Sequence, residues 1–176
     1  MSLIDTVNEA LLDKVYQLQK KRERIIEETG DFYSIGYASI RLKALREGST
    51  FYFMPNSPVL PGMLIKHTDL LGCYIAKEVI EEAGRIRVEA EYLNNSTSIH
   101  TKTTKAVDPL GRVHYSTQPT GWTCVPFSLS GKKARLPRHF TPDRGDLLWI
   151  GDTYYEVKDL RFEGLAIVEL ALEEFA

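Results

Sequence analysis

Apolar residues at the start of the chain recur three and four positions apart. Ile4, Val7, Leu11, Val15 and Leu18 form one stripe, which Ile25 resumes two turns on and Leu12 and Ile26 widen. This period predicts an amphipathic α-helix over residues 3–28. Ser2 with Asp5 three residues on fits an N-cap pair, and Gly30 fits a C-terminal stop. The stripe has two uses open to it: docking on the chain's own sheet, or packing against copies of itself or a partner. The local run Lys20-Lys21-Arg22-Glu23-Arg24 is basic, but Glu23, Glu27 and Glu28 offset much of it. It reads as a solvated helix face.

After Gly30 the period changes. Tyr33, Ile35 and Tyr37 alternate as in a strand, whereas Ile40, Leu42 and Leu45 fit a short helix. Residues 31–45 are therefore expected to run extended into a helical turn that Gly48 ends. Thr50-Phe51-Tyr52-Phe53-Met54 has the aromatic content of a strand. Pro55, Pro58 and Pro61 exclude a central strand over the next stretch and make it a linker or turn.

Two later segments present the same features in the same order. Gly62-Met63-Leu64-Ile65, Tyr74 to Val79, Gly84 and Val88-Glu89 correspond to Gly145-Asp146-Leu147-Leu148, Tyr155 to Leu160, Gly164 and Val168-Glu169. The separations are 83 residues between the first glycines, 81 between the tyrosines and 80 between the last glycines. Each segment predicts a three-stranded meander. Gly151-Asp152 marks a tight hairpin in the second. Such meanders bury one face only by curling into a small barrel or packing on another element. The expected fold is mainly β: a small barrel or sandwich of two meanders, with a long N-terminal helix (1–30) and a single β-rich domain (31–176).

Between the meanders the chain is polar. Asp108-Pro109-Leu110-Gly111 is a turn signal, with proline setting φ at its second position. It predicts a long polar hairpin at about residues 98–118. That hairpin is either a surface loop or a projecting arm ordered by a partner. Its candidate contact residues are Lys102, Lys105, Asp108, Pro109, Arg112 and His114, joined by Lys132 and Lys133 of the later basic loop. The candidate helix interface is Ile4, Val7, Leu11, Val15 and Leu18. Trp122, Val125, Phe127 and Leu129 mark a return to a buried strand.

The 176 residues carry 22 Lys plus Arg against 24 Asp plus Glu, a net charge of −2. That removes the whole-domain basic footprint of a nucleic-acid binder. No apolar run approaches the ~18–20 residues that span a bilayer, and the start lacks a basic-then-apolar leader. Synthesis in a cytoplasm follows as the expectation, with Cys73 and Cys124 as small buried hydrophobes.

Motifs for catalysis are missing. His67, Asp69 and Cys73 lie close in sequence but without zinc-ligand spacing. His100 and His114 are placed to face each other across the hairpin. There is no Gly-rich phosphate loop, no His-Glu-x-x-His and no Gly-x-Ser-x-Gly. The expectation is no enzyme, no cofactor and no metal.

Within 137–172, Pro137, then Gly145-Asp146-Leu147-Leu148, then Gly151-Asp152-Thr153-Tyr154-Tyr155-Glu156-Val157 resembles the closing strands of tailed-bacteriophage head–tail connector proteins of the head-closure or stopper class. The resemblance implies a non-enzymatic virion protein, made in the host cytoplasm. It implies a homo-oligomeric neck ring between portal or adaptor and tail proteins, near DNA without specific binding, and no membrane. The hairpin would be its arm and the helix an inter-subunit contact. The alternatives are another small-barrel binding module: a baseplate or tail component, or a nucleic-acid-binding adaptor.

Overall fold

The computed structural model describes residues 3–36, 39–67, 73–94, 99–119 and 125–175. It is mainly β, with one long helix, α1 (Leu3–Thr29), at the start. The chain gathers into two compact units: residues 1–70 with 76–91, and residues 71–75 with 92–176. The sequence reading, with one body over 31–176, does not anticipate this division. A single strand and its successor carry the chain from one unit to the other.

The first unit is a closed barrel. Its strands are β1 (Asp31–Ile35), β2 (Ile40–Glu47), β3 (Thr50–Phe53), β4 (Leu64–His67), β5 (Cys73–Glu82) and β6 (Arg85–Leu93). Their order around the barrel is β1-β2-β3-β6-β5-β4, closed by antiparallel pairing of β1 with β4. Residues 40–45 are not the helical turn expected. They lie in β2, which pairs with β1 through its first half (Ile35↔Ile40 to Asp31↔Ala44) and with β3 through its second (Ala44↔Phe53 to Glu47↔Thr50). Two neighbours' worth of ladder bonds outweighs the helix propensity of its Leu, Lys, Arg and Ala. The core is aromatic: Tyr33 meets Phe51 edge-on at 5.2 Å between ring centres, and Phe51 stacks on Phe53 at 6.3 Å. Pro55–Pro61 forms the non-strand connection expected of it, and Val59 within it is buried.

The second unit is a seven-stranded sheet. It comprises β7 (Ile99–Val107), β8 (Val113–Pro119), β9 (Ser128–Ser130), β10 (Lys133–Pro137), β11 (Leu147–Ile150), β12 (Thr153–Glu163) and β13 (Ile167–Glu174). Their order is β8-β7-β11-β12-β13-β10-β9. Val125, Phe127, Ala134, Leu136, Leu148, Val157, Val168, Leu170 and Leu172 form its buried core.

Both units follow one strand plan, and the repeat read from the sequence is visible in backbone hydrogen bonds. In the first unit, Gly62 N–H donates to the Ala76 carbonyl (2.7 Å) and Ala76 N–H to the Met63 carbonyl (2.9 Å). In the second, Gly145 N–H donates to the Val157 carbonyl (2.8 Å) and Val157 N–H to the Asp146 carbonyl (2.9 Å). Gly62 and Gly145 share a positive φ, 90° and 86°, which explains why each meander opens on glycine. By position, β3 and β10 flank the last strand of each meander, and β1 and β7 flank the first. The units differ where β2 runs unbroken in the barrel. Its counterpart is split into β8 and β9, and among the described residues no pairing joins those two edges.

Candidate functional site

The helix is covered over only part of its length. Ile26 is buried at 1% exposure, and Gln19, Arg22 and Glu23 are half-buried. Arg22 donates to the Ala83 carbonyl at 2.7 Å, and Lys43 Nζ donates to the Glu27 carbonyl. The Gln19 backbone lies so near Gly84 that a Cβ there would sit 2.5 Å from the Gln19 Cα. A cleft with room for about 40 Å³ lies beneath this end, lined by Arg22, Ile25, Ile26, Leu45, Tyr52 and Arg85. Its apolar walls and two guanidinium groups are what remains between a helix and a barrel that touch at a few points.

N-terminal to Gln19 the stripe faces solvent. Leu11, Val15 and Leu18 are 56%, 44% and 52% exposed, and Leu12 and Tyr16 are exposed beside them. The side chains of Ile4 and Val7 lie outside the described part of the structure. The basic run is internally paired: Lys20 with Glu23 at 3.0 Å and Arg24 with Glu28 at 2.7 Å. Those contacts raise the Lys20 and Arg24 pKa values, by the hydrogen bonds to Glu23 and Glu28 first and their charges second.

The polar middle is a regular hairpin. β7 and β8 pair from Val107↔Val113 to Thr101↔Pro119. Asp108 organises its turn. The N–H groups of Leu110 and Arg112 donate to its Oδ1 at 2.9 and 2.8 Å, while His114 Nε2 and Arg112 Nε lie 3.1 and 3.3 Å from Oδ2. The His114 hydrogen bond, followed by that of the Arg112 backbone, holds the Asp108 carboxyl below its ordinary range. The tip is not polar throughout. Val107, Leu110 and Val113 are 61%, 74% and 44% exposed.

The structure gathers some predicted contact residues and separates others. Asp108, Arg112 and His114 form one network at the tip, with Pro109 in the same turn. Lys102 and Lys105 lie on β7 between the sheet and that tip, their side chains outside the described part. Lys132 and Lys133 sit at the β9–β10 turn, at the opposite end of the strand order from β8. Lys133 pairs with Glu169 at 3.0 Å, and Arg135 with Glu163. His100 and His114 do not face each other: His114 is opposite Ala106, and His100 is opposite Leu148 of β11. Of the His67, Asp69 and Cys73 trio, Asp69 lies outside the described residues. His67 packs edge-on against Tyr33 at 5.2 Å and Cys73 is buried. Trp122 and Cys124 also lie outside the described residues.

One surface escaped the sequence reading. Trp149 of β11 is opposite Tyr154 of β12, and their rings stack with centres 6.0 Å apart. Phe175 N–H donates to the Tyr154 carbonyl at 2.8 Å, continuing the pairing of β12 with β13 by one residue. Directly opposed residues share a sheet face, so Trp149 of β11, Tyr154 of β12 and Phe175, one residue past β13, form a row. All three are exposed. The cue was present: Trp149 follows buried Leu148, so a period of two sends it outward.

No family model, curated protein or solved structure matches the chain.

Proposed function

We propose that this chain is a non-enzymatic structural protein that acts through protein–protein contacts, as a ring-forming head–tail connector or neck component of a phage virion. The observation that carries the reading is the helix stripe at Leu11, Val15 and Leu18, which the chain's own barrel leaves in solvent. Isolated helices are marginal in water, and most helical stability comes from packing an apolar face. Such a stripe is suited to another protein surface. The resemblance of the 137–172 segment to the closing strands of head–tail connectors supplies the class, and with it the virion location and the portal and tail partners.

The nucleic-acid alternative requires a shared basic face with aromatics on it. The arrangement argues for the first reading: Arg112, Lys133 and Arg135 are each paired with a carboxylate, which reduces the positive charge open to a phosphate backbone.

The experiment is isolation of the tagged chain with its native assembly, followed by measurement of mass and image symmetry. The expected result is a closed ring of copies of the 20.0 kDa protomer together with virion proteins. A lone protomer free of any virion protein contradicts the reading.

A further inference from the structure

We propose that the tip of the β7–β8 arm is a plug that docks on the Trp149–Tyr154–Phe175 row of a second copy, joining copies head to tail. The inference rests on the ring-forming reading above and adds to the α1 stripe a second contact between copies.

The arm and the row lie at opposite ends of β11. β7 pairs with β11 only from Ile99↔Trp149 to Thr101↔Leu147. Beyond Thr101, the described partner of β7 is β8, so the hairpin runs on past the Leu147 end of β11. Six residues at ~3.3 Å each carry Val107 about 20 Å further. The aromatic row sits at the other end, beside the turn at Gly151 and Asp152. A shift of one copy along the strand direction brings the arm of one to the row of the next. The two surfaces are different, so the contact is heterologous, the kind that closes into a ring when its rotation permits.

Chemistry on the two sides is complementary. Residues 102–117 hold three cations, Lys102, Lys105 and Arg112, against one carboxylate, Asp108. The row is rimmed by Asp152, Glu156 and Glu173 with one cation, Lys158, which lies 2.7 Å from Glu156 and 3.1 Å from Glu173. A net positive arm therefore meets a net negative rim. At the centre, the exposed Val107, Leu110 and Val113 offer an apolar knob to three exposed aromatic rings. Aromatic anchors inside a polar rim are the usual composition of an interface hot spot. Asp108 fixes the turn before docking, which lowers the ordering penalty of binding.

Sedimentation velocity of the full chain over a range of concentrations, with native mass spectrometry, tests this. Leu110→Asp at the exposed tip and Tyr154→Ala in the row should each weaken self-association about tenfold or more. Glu173→Lys checks the row independently of lost ring packing and should act in the same direction. Mixing the Leu110→Asp and Tyr154→Ala proteins gives the decisive result. One retains a working row and the other a working arm, so the mixture should form mixed pairs, one copy of each variant, that neither variant forms alone. Wild-type oligomers that keep their mass in all three variants overturn the contact while leaving the ring reading standing, since the copies are then held elsewhere. A wild-type chain that stays monomeric at every concentration also overturns the contact. The ring reading is judged separately, on the native assembly. A mixture that gains no dimer over either variant alone overturns the head-to-tail arrangement.

Discussion

At the scale of single residues, the two units allow a matched comparison. Gly84 and Gly164 occupy corresponding turns and share positive φ, 77° and 61°. A methyl group at Gly84 would meet the Gln19 backbone, whereas nothing lies within 4 Å of one at Gly164. Gly164→Ala should therefore lose only the left-handed backbone penalty, about 1–2 kcal/mol. Gly84→Ala should lose more and should loosen α1. Equilibrium denaturation with helix circular dichroism checks both, and equal losses would refute the docking role assigned to Gly84. Asp108 makes the second residue-level prediction. Its carboxyl is held below its ordinary range, chiefly by His114, so ordering of the tip is fully present above the unfolded carboxylate value of about 3.9 and is lost as pH falls through the lower folded value. Amide exchange at Leu110 and Arg112 should rise in that acid window, and Asp108→Ala should raise it at neutral pH. Unchanged protection in both cases would remove Asp108 from its role. The turn residues were legible because the Pro109 ring fixes φ and Gly111 tolerates the positive φ, 76°, that the turn requires. The Asp108 network was not, because it depends on which side chains a completed hairpin brings back to its tip.

At the scale of elements, α1 has two halves with different fates, and the sequence could not separate them. Its apolar stripe runs from Ile4 to Ile26 with one gap at Arg22, and nothing in it says which part is covered, so both uses are open. In the structure Ile26 meets the barrel while Leu11 to Leu18 do not. Ile26→Ala should cost the isolated chain about 2–4 kcal/mol, whereas Leu11→Ala or Val15→Ala should change its stability by less than about 0.5 kcal/mol. Thermal denaturation of the purified protein distinguishes these, and an equal loss at Leu11 would mean that this part of the helix is already covered. The β2 strand departs from the expected helical turn for a different reason. Ile40, Leu42 and Ala44 alternate with Arg41 and Lys43, a strand period, but the residue types are good helix formers. Pairing with two neighbours decides the outcome, and pairing is not visible in a window of eight residues.

At the scale of the whole molecule, the repeat was the most informative sequence feature. Glycines at matching positions, followed by apolar pairs, placed the two meanders that the structure builds around equivalent hydrogen bonds. The division into two units was not legible, because β5 and β6 continue through the boundary without a linker-like composition. The break between β8 and β9 was legible, because Pro119, Gly121 and Pro126 interrupt any single strand over 113–130. That the two pieces together stand where β2 stands in the barrel was not, because it depends on the strand order. The near-neutral charge fits the same picture at this scale: cations and carboxylates are matched locally, and the surfaces left unmatched are the helix stripe, the arm tip and the aromatic row.

The reading stands or falls on the exposed half of α1 being a surface for other protein. Native mass spectrometry of the assembly, comparing the unaltered chain with the Leu11→Asp, Leu18→Asp double variant, decides this. The expected result is a defined multiple of the 20.0 kDa protomer for the unaltered chain, falling to smaller species in the variant while the thermal stability of the protomer is unchanged. An assembly of unchanged mass in the variant, or a 20.0 kDa monomer from the outset, would contradict it.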